Sequence, residues 1–596
     1  MKRIKELILN IVRGMSLASA RFPLTILSLL GAAGIMCYMI SLREQPGLLI
    51  QKLMFTFLVG SVLGMAAQFA VERFRRLEKQ RFMVYGLSAL LTAGYFLILW
   101  PAPAISSEIG VRTFVAVFAL VCTVLWVPSF KGKADFNAVA LINFKSAFTS
   151  VLYSGVLSGG IAAIIAAIDI LLFKVNSDSY AYMMTIIWVI FAPIYYLSLL
   201  PRFNSERQED IKLTEHAGLY PKFLEILISY IAIPLVAAYT LVLFAYFAKI
   251  LVTMTWPSGQ LGVMVLAYSA AGLLIYVLCS LLDNQFSILY RRIFPKVLIP
   301  VVIMQLISVG IRLNAYGITE SRYYVALFGI FSLTTAIVLS FRRVSRNGII
   351  ALLAAGFAIF SVIPPVDAFT VSRVSQISRV ENILQAEGIL KEGKLVPKTN
   401  VSEKVRAETT SILSYLDTRS SLKYIKWLPV DFNIYKDMKV TLGFDQTYPN
   451  GNPGSQYFFA SLNAQLPFDI SGFDTIASAY SGRMDKGKPP SFDMTVRGVS
   501  YRLMLTRISN QETKVSITSD AGVELISTGL YDFAKTVTSV GSKEALSPEA
   551  MTLDVSKNGY KLRILFQNIN GSMGNAADAG MDYAMYVLFA APNSTK

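Results

Sequence analysis

The chain has 596 residues, of which 54% are hydrophobic and only 16% charged, with a formal charge of +17. That composition lies outside the range of soluble globular domains. Up to residue 363, roughly 30 Lys and Arg stand against about 15 Asp and Glu, while the remainder is near neutral, with roughly 25 against 23. A basic excess confined to membrane loops orients a chain in a bilayer. It is no footprint for nucleic acid, and no folded basic module is present.

The sequence opens with a basic segment, 1–21, in which Ile4, Leu7, Ile8, Ile11 and Val12 share one side. It is expected to lie on the membrane surface as an amphipathic helix, and no cleavable leader is expected. Apolar runs long enough to cross a hydrocarbon core of ~30 Å then follow one another. They are Phe22–Ile40, Leu53–Val71, Phe82–Trp100, Thr113–Val127, Thr149–Phe173, Tyr182–Leu200, Phe223–Phe247, Leu261–Leu282, Val297–Leu313, Tyr324–Phe341 and Gly348–Ile363. The fourth and the last are short for a span. Pro193, Pro234 and Pro300 interrupt runs, and Gly60-xxx-Gly64 and Gly155-xxx-Gly159 permit close approach of helices. Both Gly pairs are read as internal packing.

Alternate loops differ in charge. One set holds roughly 23 basic residues, among them Arg73, Arg75, Arg76, Lys79 and Arg81, and the other about six, including Arg112, Lys174 and Arg312. The bias places the N-terminus in the cytoplasm. An odd number of spans then places the tail outside. Trp100, Trp126 and Trp256 fall at run ends, where indoles anchor. The turn Trp256-Pro257-Ser258-Gly259 suits a corner at the membrane surface.

The densest polar signal is the connection Arg312-Leu-Asn-Ala-Tyr316-Gly317-Ile-Thr319-Glu320-Ser-Arg322-Tyr323-Tyr324. Arg312 comes about 15 residues into its run, ~22 Å along a helix axis. A charge at that depth is costly unless paired or wetted, and Asp169, near the matching end of the fifth run, is a candidate partner. One reading is a polar cavity or anion site at the outer face. The other is a snorkelling arginine with a loop held by its own ion pair, Asp169 meanwhile reaching headgroups or Lys174.

The tail begins after Pro364-Pro365. Val371–Leu390 and Val401–Leu416 have helical spacing. From about Phe432 the pattern turns to short β-rich runs separated by Gly, Asn, Asp or Pro: KVTLGF, SQYFFASLNA, SFDMTVRG, YRLMLTRI, TKVSITS, VELIST, KLRILFQNI and DYAMYVLFA. The turn Asp469-Ile-Ser-Gly472-Phe-Asp474 lacks the spacing of a calcium loop and reads as an Asx turn. Cys37, Cys122 and Cys279 all lie in apolar runs, and His216 is the single histidine. A disulfide framework in the tail, a cysteine-type zinc site and a Ser-His-Asp relay are therefore excluded. No metal and no cofactor are expected.

The expected architecture is an α-helical polytopic membrane bundle of about 11 spans followed by an exported α+β or mainly-β C-terminal domain. Its parts are 1–21, the bundle 22–363, a helical neck 367–430 and the β-rich domain 431–596.

The basic N-terminus, the many spans, Trp256-Pro257-x-Gly259, Tyr316-Gly317-Ile-Thr319-Glu320-x-Arg322-Tyr323 and the Asp469–Asp474 turn together resemble a family of bacterial multipass proteins grouped as domain of unknown function 4153. The similarity covers most of the chain, and Phe473 departs from the tyrosine expected at its position. The resemblance implies a bacterial plasma-membrane location and this layout, and it carries no activity or catalytic residue with it.

Three classes of function follow. The first is a non-enzymatic envelope protein that binds, senses or scaffolds, with the lipid bilayer as one partner and an envelope protein or polymer, met through 431–596, as the other. The alternative is a transporter using a polar cavity built from Asp169, Arg312 and Glu320. The third, an enzyme on lipid-linked substrates, is disfavoured. Such enzymes present paired carboxylates in a sizeable early outer loop, and here that loop, SLREQPG, holds only Glu44.

Overall fold

The computed structural model describes residues 2–42, 46–132, 134–254, 260–342, 344–447, 456–482, 491–538, 543–573 and 580–592. The turn at Trp256, Pro257 and Gly259 lies outside the described residues. The chain divides into two compact units, Met1–Val396 with Ile412–Phe432, and Pro397–Ser411 with Asn433–Lys596. The stretch 367–430, read above as a neck, is thus shared between them.

The first unit is helical. After the helix Lys2–Arg21, ten described helices are long and apolar enough to cross a membrane: Pro23–Leu42, Leu48–Arg73, Arg81–Leu99, Ser107–Ser129, Phe136–Leu171, Asp178–Ser198, Lys222–Thr253, Leu261–Leu281, Gln285–Tyr316 and Glu320–Phe341. The fourth, read as short, gains a turn and a half at its start because Ser106 caps it by accepting from Ile109 N–H. The fifth is lengthened to 36 residues by Asp135, which accepts from Asn137 and Ala138 N–H. Capping of this kind satisfies donors that a helix start leaves orphaned.

The eleventh apolar helix, Gly348–Phe360, has 13 residues, ~20 Å at the usual rise. It starts with Gly348 against Trp126. Just past its end, Arg112 Nη1 donates to Val362 O at 2.8 Å. Trp126 and Arg112 lie on one helix, ~21 Å apart along its axis. The short helix therefore lies alongside Ser107–Trp126 over that stretch.

Small residues set the close approaches. A Cβ on Gly64 would fall 2.8 Å from Thr25 N, and Thr25 Oγ1 donates to Ser61 O at 2.9 Å. Gly155 and Gly159 differ: nothing lies within 4 Å of either Cβ position. The expectation that this second pair packs inside the bundle is corrected, because its face of Phe136–Leu171 is exposed. Pro193 and Pro234 each follow a π-helical turn, Ile186–Phe191 and Leu227–Ala232. A wider turn absorbs the hydrogen bond that proline cannot donate.

At the end carrying the basic loops, cations close helix C-termini. Arg21 donates to Leu200 O and Pro201 O, at 2.5 and 3.0 Å, and holds Glu72 with two further bonds. Arg73 binds Phe130 O and Lys131 O, Lys145 binds Ala217 O and Leu219 O, and Arg291 binds Cys279 O and Leu282 O. Terminal carbonyls lack intrahelical partners and carry partial negative charge, so cations are stabilising there.

The second unit is mainly β. Its larger sheet has the order Thr475–Ser481, Met581–Ala590, Tyr560–Met573, Gln456–Leu462, Lys543–Leu546, with Thr552–Lys557 also paired to Tyr560–Met573. The smaller sheet is the meander Ser491–Val496, Val499–Arg507, Thr513–Ser519, Glu524–Gly529. Two-residue turns join tight hairpins at Arg497-Gly498 and Asn558-Gly559, all four residues having positive φ, as primed turns require. Inward residues of both sheets, among them Leu503, Ile517, Ile564 and Phe589, form one core. KVTLGF is corrected from strand to the short helix Met438–Leu442, which stops at Gly443 with φ 92.

Candidate functional site

The polar connection between Gln285–Tyr316 and Glu320–Phe341 packs against the helix Ala368–Ala386, and both belong to the helical unit. The first of these helices ends because Gly317 takes φ 69, a left-handed conformation. That turn aims the Tyr316 carbonyl at three donors: Gln376 Nε2 at 3.1 Å, Arg379 Nη1 at 3.0 Å and Arg322 Nη1 at 3.2 Å. Arg322 also reaches Gly317 O at 3.0 Å. Ile318 donates its N–H to Ser375 Oγ and accepts from Gln376 Nε2 at 2.9 Å. A Cβ on Gly317 would meet Gln376 Nε2 at 2.8 Å, so glycine is needed for the close approach as well as for the turn. Tyr323 Oη donates to Val366 O at 2.6 Å. Thr319 stands at the N-cap of the next helix.

Glu320 opens that helix and is buried. Its carboxylate pairs with Arg419 at 2.8 Å, and its N–H points to Tyr415 Oη at 3.4 Å. Burial pushes the Tyr415 phenol above its ordinary pKa, with the nearby Glu320 charge adding to the effect. Arg419 also donates to Ser107 Oγ. One step away, Arg112 joins Glu108 at 2.8 Å to the fully buried Asp367 at 3.0 Å. Asp367 in turn caps Ala368–Ala386 by accepting from Phe369 and Thr370 N–H. Around these groups lies a cleft of about 160 Å³, lined by Ser107, Glu108, Glu320, Arg373, Tyr415 and Arg419 among others. Two carboxylates and two arginines balance its charge, and Arg373 is further drawn onto the Tyr424 ring, 4.1 Å from its centroid.

A second cleft, of about 230 Å³, lies between Leu261–Leu281, Gln285–Tyr316 and Glu320–Phe341. Its lining is Gly262, Val263, Ser308, Val309, Arg312, Ser321, Arg322 and Val325. Among the described residues it contains two guanidinium groups and no carboxylate.

The structure does not bring Asp169 to Arg312. Asp169 Oδ1 accepts from Val175 N–H at 2.7 Å, and Oδ2 lies 3.5 Å from Lys174 Nζ, so its carboxylate closes its own loop. Arg312 and Glu320, offered together as one cavity, line different clefts. Sequence reasoning missed the partners on the neck helix. Ser372, Ser375, Gln376 and Arg379 recur at helical spacing, a polar stripe that would have identified the docked face. It also passed over Lys52, buried in its span with Nζ on Trp100 O at 2.7 Å. In the β unit, Asp469 holds an Asx turn through Ser471 N–H and Oγ, both at 2.8 Å, bonds that lower its pKa. Among the described residues, no group of three or more His, Cys, Asp or Glu could hold a metal ion.

A protein of Pasteurella multocida (strain Pm70), described as uncharacterized, is 26% identical over 282 residues, 44% of this chain and 45% of the relative. The match thus spans less than half of that relative's length. No solved structure matches. The profile described as Domain of unknown function (DUF4153) matches residues 30–390. Those bounds run from within the first span through the remaining spans, the polar connection and the helix it grips. The chain belongs to this DUF4153 family of multipass membrane proteins.

Proposed function

We propose that the protein is a non-enzymatic component of the bacterial plasma membrane, with its N-terminus in the cytoplasm and its β unit on the extracytoplasmic side. There the β unit binds an envelope protein or polymer. The observation carrying this reading is the use made of the polar connection. Its Tyr316 and Ile318 carbonyls are held by Gln376 and Arg379, and its one carboxylate, Glu320, by Arg419. A bundle whose most polar loop clamps the root of the following region is built to present that region. A path through the bundle draws no support from Asp169, whose carboxylate is turned into its own loop.

Two cysteine variants test the orientation in a chain with Cys37, Cys122 and Cys279 replaced by serine. Asp520→Cys, in an exposed turn of the β unit, should react with an impermeant maleimide on intact cells. Gln208→Cys, exposed beside a basic loop, should react only after permeabilisation. The opposite pattern sinks the reading. Co-sedimentation of the detergent-solubilised full chain with purified cell wall then tests the polymer as partner.

A further inference from the structure

Among the described residues lining the two-arginine cleft there is no counter-charge. Arg312 forms no hydrogen bond or ion pair among the described residues. Arg322 has Nη1 committed to the carbonyls of Tyr316 and Gly317, and its guanidinium lies 5.4 Å from the Tyr316 ring centroid. The nearest carboxylate in sequence, Glu320, is taken by Arg419. Two like charges facing one small cleft repel each other, and at the edge of an apolar bundle neither is well hydrated. The two guanidinium groups favour an anion, and the hydroxyls of Ser308 and Ser321 can donate to it, Ser321 Oγ also lying 3.3 Å from Thr319 Oγ1. Arginine presents a planar fork that matches phosphate oxygens in pairs.

The walls indicate where the phosphate comes from. Val263 lines the cleft and is 65% exposed, and Ile307 and Ile311, on the same helix as Arg312, are 45% and 43% exposed. On a span such residues face acyl chains. The cleft therefore offers cationic groups at the end of the span and an apolar track beside them.

We propose that Arg312 and Arg322, with Ser308 and Ser321, hold the phosphate of an anionic lipid whose acyl chains lie along Val263, Ile307 and Ile311. The site would serve whichever leaflet meets this end of the bundle, so it stands or falls apart from the orientation proposed above. It gives the bilayer a specific role as ligand.

Native mass spectrometry of the full chain in mild detergent tests it, with phosphatidylglycerol and phosphatidylcholine as probes. Wild type should retain phosphatidylglycerol in preference to phosphatidylcholine. Arg312→Gln should weaken that retention roughly tenfold, the loss of one charge-assisted hydrogen bond, whereas Arg76→Gln, an exposed cation elsewhere, should leave it unchanged. Equal retention by Arg312→Gln and wild type overturns the proposal. So does full competition by glycerol 3-phosphate at the same concentration, which would make the ligand a free phosphate. A thermal melt in phosphatidylcholine nanodiscs covers the remaining case. Arg312→Gln should melt with wild type there, and a collapse would make the arginine structural and overturn the site.

Discussion

Two clefts share the first turn of the Glu320–Phe341 helix, and they treat charge in opposite ways. In one, Glu108 and Glu320 meet arginines, and every ionic group is tied to a protein partner. In the other, Arg312 and Arg322 face each other with no acid in the lining. A single polar sequence motif feeds both. Residue type alone therefore does not mark a binding site in such a loop. What distinguishes the clefts is whether charges are closed by the chain itself. Closed charges hold architecture, and open ones call for something from outside.

Substitutions can break this contrast, beginning on the closed side. Asp367→Ala should have the largest effect, since it removes a helix cap and leaves Arg112 facing the buried void of its partner. A loss of about 3–5 kcal/mol is expected, read as unfolding of the purified chain by SDS titration. Gln376→Ala strips the Tyr316 and Ile318 carbonyls of a common donor in a buried site. It should cost about 2–3 kcal/mol in the same titration. Glu320→Ala should cost about 2 kcal/mol, between the values for buried and surface pairs because Arg419 is partly exposed. Adding Arg419→Ala should recover part of that loss. Strictly additive losses would mean that the pair is not closed. Arg312→Ala, on the open side, should change stability by no more than about 0.5 kcal/mol when anionic lipid is absent. A large loss there would erase the contrast.

The membrane class, the order of the spans and the polar connection were legible because each rests on a local pattern: apolar run length, loop charge and residue density. The β unit was read in part. SFDMTVRG, YRLMLTRI and TKVSITS are strands where alternation and turn residues coincide. The strand Thr475–Ser481 was missed, since its run TIASAYS carries small residues where a sandwich core usually has large ones. KVTLGF misled because β-branched residues beside a glycine read as a strand, while tertiary packing and a left-handed Gly443 make it the end of a helix. Asp169 was matched to Arg312 by depth alone. Depth along two helices says nothing of which faces meet, and a backbone N–H six residues on supplied a nearer partner. Gln376 and Arg379 lie 60 or more positions from the Tyr316 carbonyl they grip, so their stripe marks a docked face without telling which carbonyl it meets.

The two π-helical turns carry a consequence for how these spans present their faces. Each acts as one residue slipped into an α-helix, which rotates everything beyond it by ~100° about the axis. Residues ahead of Ile186–Phe191 and those after Pro193 are therefore out of phase, and so are those on either side of Leu227–Ala232. A stripe drawn at constant period along either span would leave the lipid and enter the bundle halfway across. Deleting one residue within such a turn, for example Val189 or Tyr230, should restore a continuous phase and turn one half of the span to the wrong neighbours. The slip, more than the proline it precedes, is what lets each span address one set of contacts near one membrane surface and a different set near the other.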